Sequence, residues 1–213
     1  NGLQTFGTVT KTAVATGAEL VAYSGFSASN YLQQPYNSDL DFGTGDFHYL
    51  LWVKTVSIAS TQILVTRTSA AGSDDTAVWI DNGGNVNIRL KTTGSELSGS
   101  TVLSLNTWHM VCAGRSNGSA FININASLDT TAVNAEDVSR VAPLIIGAYW
   151  DYSIPAVSSY LSMLRTGAGA PSAEQIKEIY EAERHLFQDN AACTLTSTTS
   201  AVNALAYDED TEL

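Results

Sequence analysis

The chain has 213 residues, 44% of them apolar, and sets 10 Lys and Arg against 21 Asp and Glu for a formal charge of −11. That length and apolar share fit one large domain with a full core and exclude global disorder. The charge excludes nucleic acid and anionic membrane surfaces as partners, because phosphate-backbone binding needs clustered positive charge, and no apolar run approaches the roughly 18–20 residues of a membrane span.

The chain begins at Asn1 without a basic-then-apolar leader, and the absent Met reads as a fragment or a processed chain. Residues 1–17, rich in Thr, Ala, Val and Gly, read as an edge strand or as an arm that packs on a partner. From Glu19 the pattern sharpens into short β-branched and aromatic runs separated by Gly, Ser, Asn and Asp. Strands are predicted near 20–24, 29–34, 46–56, 61–67, 76–81, 85–91, 101–104, 107–115, 119–125, 143–147 and 158–165. Asp81-Asn82-Gly83-Gly84 and Ser116-Asn117-Gly118-Ser119 are hairpin turns, since Asn and Gly tolerate positive φ.

Within 47–53, Phe47, Tyr49, Leu51 and Val53 share one face while Leu50 and Trp52 fill the other, so this strand is expected to be covered on both sides. Trp108, Met110 and Cys112 share a face, as do Ile122 and Ile124, with Asn123 and Asn125 opposite. Cys112 reads as a small buried hydrophobe; spacing does not decide whether it pairs with Cys193. Residues 171–187 break the period. Ser172 followed by Gln175 is a capping-box pair, and Ile176, Ile179, Tyr180 and Phe187 fall on one helical face. The predicted fold is all-β, a two-layer antiparallel β-sandwich of jelly-roll type with one short C-terminal α-helix. The predicted domain spans 18–187, with 188–213 a tail that pairs as a strand or opens a further module. Its closing acids, Asp208, Glu209, Asp210 and Glu212, read as solvated.

Four segments in this order resemble laminin G-like domains of the concanavalin A-like lectin/glucanase group. They are the strand ending Trp52-Val53-Lys54, the hairpin opening Trp108-His109-Met110-Val111, the strand Leu144-Ile145-Ile146-Gly147-Ala148, and the helix with Ser172, Gln175, Ile176 and Tyr180. Where the family often has Asp-Gly, this chain has Asn125-Ala126. The run from Asp39 to Phe47, the trailing LFQDNAACTL and the closing AVNALAYDEDTEL also resemble bacteriophage virion proteins, chiefly tail fibres. The resemblance implies a virion location, a host surface glycan or receptor as partner, and a homo-oligomer, trimeric in a fibre.

Glucanases of the group alternate carboxylates along one strand, as Glu-x-Asp-x-x-Glu; no strand here does so, and glycoside hydrolysis is the remote alternative. His48, His109 and His185 read as satisfied sheet and helix-end residues. Gly167 and Gly169 precede a helix without a P-loop lysine and read as a turn. The resemblance admits calcium, for which Asp74, Asp75 and Asp81 are the candidates, against the plainer reading of solvated loop acids; no other cofactor is implied. Glycan binding is the surviving chemistry, since a sugar stacks its apolar face on an aromatic ring and offers hydroxyls to Asn and Asp. Tyr149, Trp150, Asp151 and Tyr152, in a loop, are the candidate site. Tyr31, Tyr36 and Asn37 form a second cluster. The same aromatics equally suit a covered sheet edge or a subunit contact, which is the structural-module reading. The sequons at Asn117 and Asn125 matter only in a secretory host.

Overall fold

A computed structural model describes residues 2–68, 75–91 and 96–189. It contains two seven-stranded antiparallel sheets. Sheet one runs, edge to edge, through β1 (Gln4–Phe6), β4 (Tyr31–Gln34), β13 (Leu144–Ile146), β6 (Gln62–Thr68), β7 (Asp75–Ile80), β8 (Asn85–Lys91) and β9 (Glu96–Val102). Sheet two runs through β12 (Ser127–Val133), β11 (Ser119–Ile124), β10 (Trp108–Ser116), β5 (Phe47–Thr55), β14 (Ser159–Ala168), β3 (Val21–Ser24) and β2 (Thr10–Ala13). The expected sandwich is therefore the observed fold. Residues 4–13 supply one outermost strand to each sheet.

The strand alternation decides the layers. Phe47, Tyr49, Leu51 and Val53 point between the sheets and meet Val78, Ile80, Ile88, Leu90, Leu144 and Ile146 from sheet one. The opposite face of β5 carries Leu50 and Trp52, which join Met110, Cys112 and Phe121 beneath α1 (Ala173–Glu183) and the 3₁₀ turn Arg184–Phe187. Burying such side chains contributes about 1.5–3 kcal/mol each. The helix starts where expected: Ser172 accepts from the Gln175 N–H, and the Gln175 carboxamide accepts from the Ser172 N–H. Its far end is fixed by aromatic contact. Trp52 stacks on Phe187 at 4.2 Å and donates its indole N–H to Glu183 at 2.8 Å. Gly114 marks the closest approach of β10 to β5, since a Cβ there would lie 2.1 Å from the Phe47 carbonyl oxygen.

Two strands depart from the expectation. β9 spans 96–102 rather than 101–104, and β12, at 127–133, was not expected. Both are largely exposed outermost strands, so their sequences lack the apolar alternation that marked the others. They meet across the sandwich. Asp129 of β12 accepts from the N–H groups of Ser100 and Thr101 and from both hydroxyls, at 2.6–3.0 Å. Partial burial works to raise the Asp129 pKa, but these bonds outweigh it and hold the carboxyl below the usual carboxylate range.

The β10–β11 and β11–β12 hairpins of sheet two use left-handed pairs: Asn117 and Gly118 at φ 49° and 73°, Asn125 and Ala126 at 50° and 64°. One rim is closed by arginines. The Arg115 guanidinium donates to the carbonyls of Gly43, Gly45 and Glu136. Arg67 donates to the carbonyls of Leu40, Val138 and Arg140 and pairs with Asp41. These internal cations collect the loop carbonyls of residues 40–45 and 136–140.

Candidate functional site

The loop after β13 is shaped by a residue without a side chain. Gly147 has φ +82°, and a Cβ there would lie 2.1 Å from the Phe26 ring, so glycine lets the chain turn tightly over that ring. The loop then closes on itself. The Ala156 N–H donates to the Gly147 carbonyl at 2.9 Å, and the Tyr152 N–H to the Tyr149 carbonyl at 3.0 Å. Asp151 Oδ1 accepts from the Ser153 hydroxyl at 2.6 Å and from its N–H at 3.0 Å, an Asx turn. The Ser153 hydroxyl bond above all holds the Asp151 carboxyl below the usual range.

So folded, the loop lies on the outer face of sheet one. Tyr149 packs on Ile63, Ala77 and Trp79 together with Ile154. Tyr152, at φ +61°, stacks on Tyr31 at 4.2 Å, and Tyr31 stacks on Phe6 of β1 at 4.7 Å. Burial pushes the Tyr31 phenol up to about 12, with the Tyr152 hydrogen bond as the second cause. The three-ring stack ties loop, β4 and β1 together, which keeps a tyrosine in the left-handed region.

The structure therefore brings the four predicted residues into one loop and gives them different tasks. Tyr149 and Tyr152 cover the sheet, and Asp151 holds the turn. Trp150 is half-buried, as Tyr149 and Tyr152 are, and meets Tyr149 edge-on at 6.4 Å. Tyr31 of the second cluster joins the loop; Tyr36 and Asn37 do not. Tyr36 donates to Asp41 at 2.8 Å, and Asn37 caps the 3₁₀ turn Ser38–Leu40.

Beside the loop stand two residues that the sequence reading passed over. Arg89 of β8 lies 5.3 Å over the Trp79 ring, places Nη1 3.3 Å from the Tyr149 hydroxyl and donates Nε–H to Glu96 of β9 at 2.9 Å. A signal for Arg89 was available: it is the polar position between Ile88 and Leu90, hence outward. Glu96 had none, because β9 was expected to begin later. Rings, a guanidinium and a carboxylate side by side are groups that stack on a sugar and bond its hydroxyls.

Of the calcium candidates, Asp74 lies outside the described residues. Asp75 starts β7 opposite Thr68, and its side chain is outside the described set. Asp81 serves a hairpin turn, accepting from the N–H groups of Gly83 and Asn85 and from the Asn87 carboxamide at 2.8–3.1 Å. Among the described residues no three His, Cys, Asp or Glu side chains gather as metal ligands. His48 places Nδ1 2.8 Å from the Gly169 carbonyl, and His109 accepts the Ser104 N–H at 3.2 Å. Burial raises the Cys112 thiol to about 12; Cys193 lies outside the described residues.

Comparison with solved structures agrees with the fold. The binding domain of Paraclostridial Mosquitocidal Protein 1 superposes with TM-score 0.67 at 11% identity, over 85% of this chain and 47% of that one. A botulinum neurotoxin type C structure, described by its dependence on two ganglioside molecules for cell entry, gives 0.65 at 13%, over 85% and 46%. Domain 4 of AbnA, a GH43 extracellular arabinanase from Geobacillus stearothermophilus, in complex with arabinotriose, gives 0.65 at 16%, over 84% and 87%. This chain thus spans under half of the two toxin chains and most of the arabinanase domain. Comparison with curated proteins found no match. The family model for the concanavalin A-like lectin/glucanases superfamily matches residues 26–177, a span that runs from β4 through β14 to the start of the helix and leaves out β1, β2 and β3. The chain belongs to that superfamily.

Proposed function

We propose that this chain is a non-catalytic, lectin-like module that binds a glycan with the loop 148–154 and the adjoining surface of sheet one. One observation carries the reading. Trp150 is half-buried on a loop pinned by the Phe6–Tyr31–Tyr152 stack, and its neighbour Tyr149 touches Arg89 of the Arg89–Glu96 pair. A rigid ring costs little conformational entropy on binding, and the ion pair at Tyr149 supplies directional bonds. Asp151 presents its carboxylate on the exposed side of the same turn. The arabinotriose complex of the AbnA domain supports the ligand class, because this chain covers nearly all of that domain.

The proposed setting is a bacteriophage fibre or other virion protein that attaches to host surface glycan, with a homo-trimer supplying avidity to weak single sites. Support for this comes from the sequence resemblance of residues 39–47 and of the C-terminal segment to virion proteins. A purely structural assembly module is the second reading, supported by β12, an outermost strand whose Val133 is 87% exposed.

The test is a glycan-array and whole-cell binding screen of the wild type and Trp150→Ala, with light scattering for the oligomer. Trp150→Ala should lose binding at least tenfold with an unchanged melting temperature. Equal binding by the variant refutes the site, and no binding by the wild type leaves the assembly reading.

A further inference from the structure

Two hairpin turns among the described residues carry Asn followed by Gly: Asn82-Gly83 between β7 and β8, and Asn117-Gly118 between β10 and β11. That pair of residues has a chemistry of its own. The glycine amide nitrogen can attack the Asn carboxamide carbon, because no side chain on the glycine stands in the way, and asparagine is among the thermolabile residues. Both asparagines are exposed. Neighbouring residues alone rank the two pairs equally; the surrounding hydrogen bonds do not.

At the first turn the nucleophile is tied down. The Gly83 N–H donates to Asp81 Oδ1 at 2.8 Å, and the same carboxylate accepts from the Asn85 N–H at 3.0 Å and from the Asn87 carboxamide at 3.1 Å. Attack needs the Gly83 amide to give up its proton. A carboxylate at hydrogen-bond distance holds that N–H and opposes the negative charge that develops on nitrogen. Breaking a hydrogen bond to a charged acceptor slows the step by about tenfold or more.

At the second turn the nucleophile is open. The Gly118 N–H makes no hydrogen bond among the described residues, and a Cβ built on Gly118 would meet nothing within 4 Å. Other groups fix this turn. The Asn117 N–H donates to Asp46 Oδ1 at 2.9 Å, and the Gly118 carbonyl accepts the Asn134 N–H at 2.9 Å. The Asn117 carboxamide nitrogen, the group that would leave as ammonia, donates to the Ser116 hydroxyl at 3.3 Å.

We infer that Asn117-Gly118 is a self-modification site, at which the β10–β11 hairpin converts Asn117 to aspartate and isoaspartate with water as the sole co-reactant. The Gly118 nitrogen bonds to the Asn117 side-chain carbonyl carbon and loses its proton. The Cγ–Nδ2 bond breaks, and ammonia departs with that proton. Water then opens the five-membered succinimide at either carbonyl. Both products put a second carboxylate next to Asp46. Isoaspartate also lengthens the main chain by one carbon inside a two-residue turn closed by Ser116 and Ser119, so the hairpin loses its register there.

The experiment is peptide mapping by mass spectrometry of the full chain held in isotope-labelled water at mildly alkaline pH, native and in guanidinium chloride. It uses the wild type, Asn117→Gly and Asp81→Ala. In the native wild type the label should enter Asn117 about tenfold faster than Asn82, and the more acidic product should melt below the unmodified protein. In guanidinium chloride the two should react at similar rates, because the bond to Asp81 is gone. Asp81→Ala should speed Asn82 in the native protein by about the same tenfold. Asn117→Gly suits the positive φ of 49° without a carboxamide and should remove most of the acidic product. Two results overturn the inference: Asn82 taking up label as fast as Asn117 in the native wild type, or Asn117 staying unlabelled in the native protein while the denatured chain is fully modified.

Discussion

Arg115→Met tests the claim that an internal cation holds the rim loops. Arg115 is 0% exposed and makes four donor contacts to three carbonyls: Nε to Gly45 at 2.9 Å, Nη2 to Gly43 and Gly45 at 2.6 and 2.7 Å, and Nη1 to Glu136. Burial pulls its pKa below the ordinary arginine value, against the raising effect of Asp46 and Asp137, so the site carries a real desolvation cost. Methionine preserves the stem and removes that cost, but strands the carbonyls. Bonds from a charged donor are each worth about 1.5–3 kcal/mol. Water can reach part of the rim, and the relieved desolvation offsets part of the rest. The net loss is about 3 kcal/mol, near the lower end for breaking a buried ionic cluster. At about 2–4 °C per kcal/mol for a chain of this size, the midpoint falls by about 6–12 °C. Lysine keeps the charge without the fork and should recover less than half of the loss. Thermal melts by circular dichroism and urea titrations of the three proteins measure this. An Arg115→Met protein within about 1 kcal/mol of wild type refutes the reasoning.

Phe187→Ala removes the ring that stacks on Trp52 and lies 4.9 Å from Trp108; it should cost about 3 kcal/mol and red-shift tryptophan emission, and an unchanged spectrum would count against the docked helix end. Asp129 has a folded pKa below its unfolded value, so its contribution is present at neutral pH and is lost as pH falls below about 4. Asp129→Asn should therefore lose about 1–2 kcal/mol at neutral pH, with the gap to wild type closing near pH 3; a gap that stays constant across urea melts rejects the assignment.

How much of this was legible in the sequence depended on burial. β5 announced both of its faces, because every second residue from Phe47 to Val53 is apolar and Leu50 and Trp52 fill the gaps. β12 announced nothing, because an outermost strand with an exposed surface needs no apolar alternation. The loop 149–152 was legible as a cluster of rings and an acid, while the division of labour within it was not. Tyr149 meets Trp79 from β7, and Tyr152 meets Tyr31 from β4, partners far away in the chain.

The sequence by itself determined the strand periods, the two Asn-Gly turns and the capped helix, since alternation, φ preference and capping are properties of neighbouring residues. It determined the superfamily as well, through four short segments in order. Only the tertiary structure decided which sheet face the helix covers and that Arg89 and Glu96 stand beside Tyr149. Alternation says which side chains share a face; what lies opposite that face is fixed by long-range packing, which no local pattern encodes.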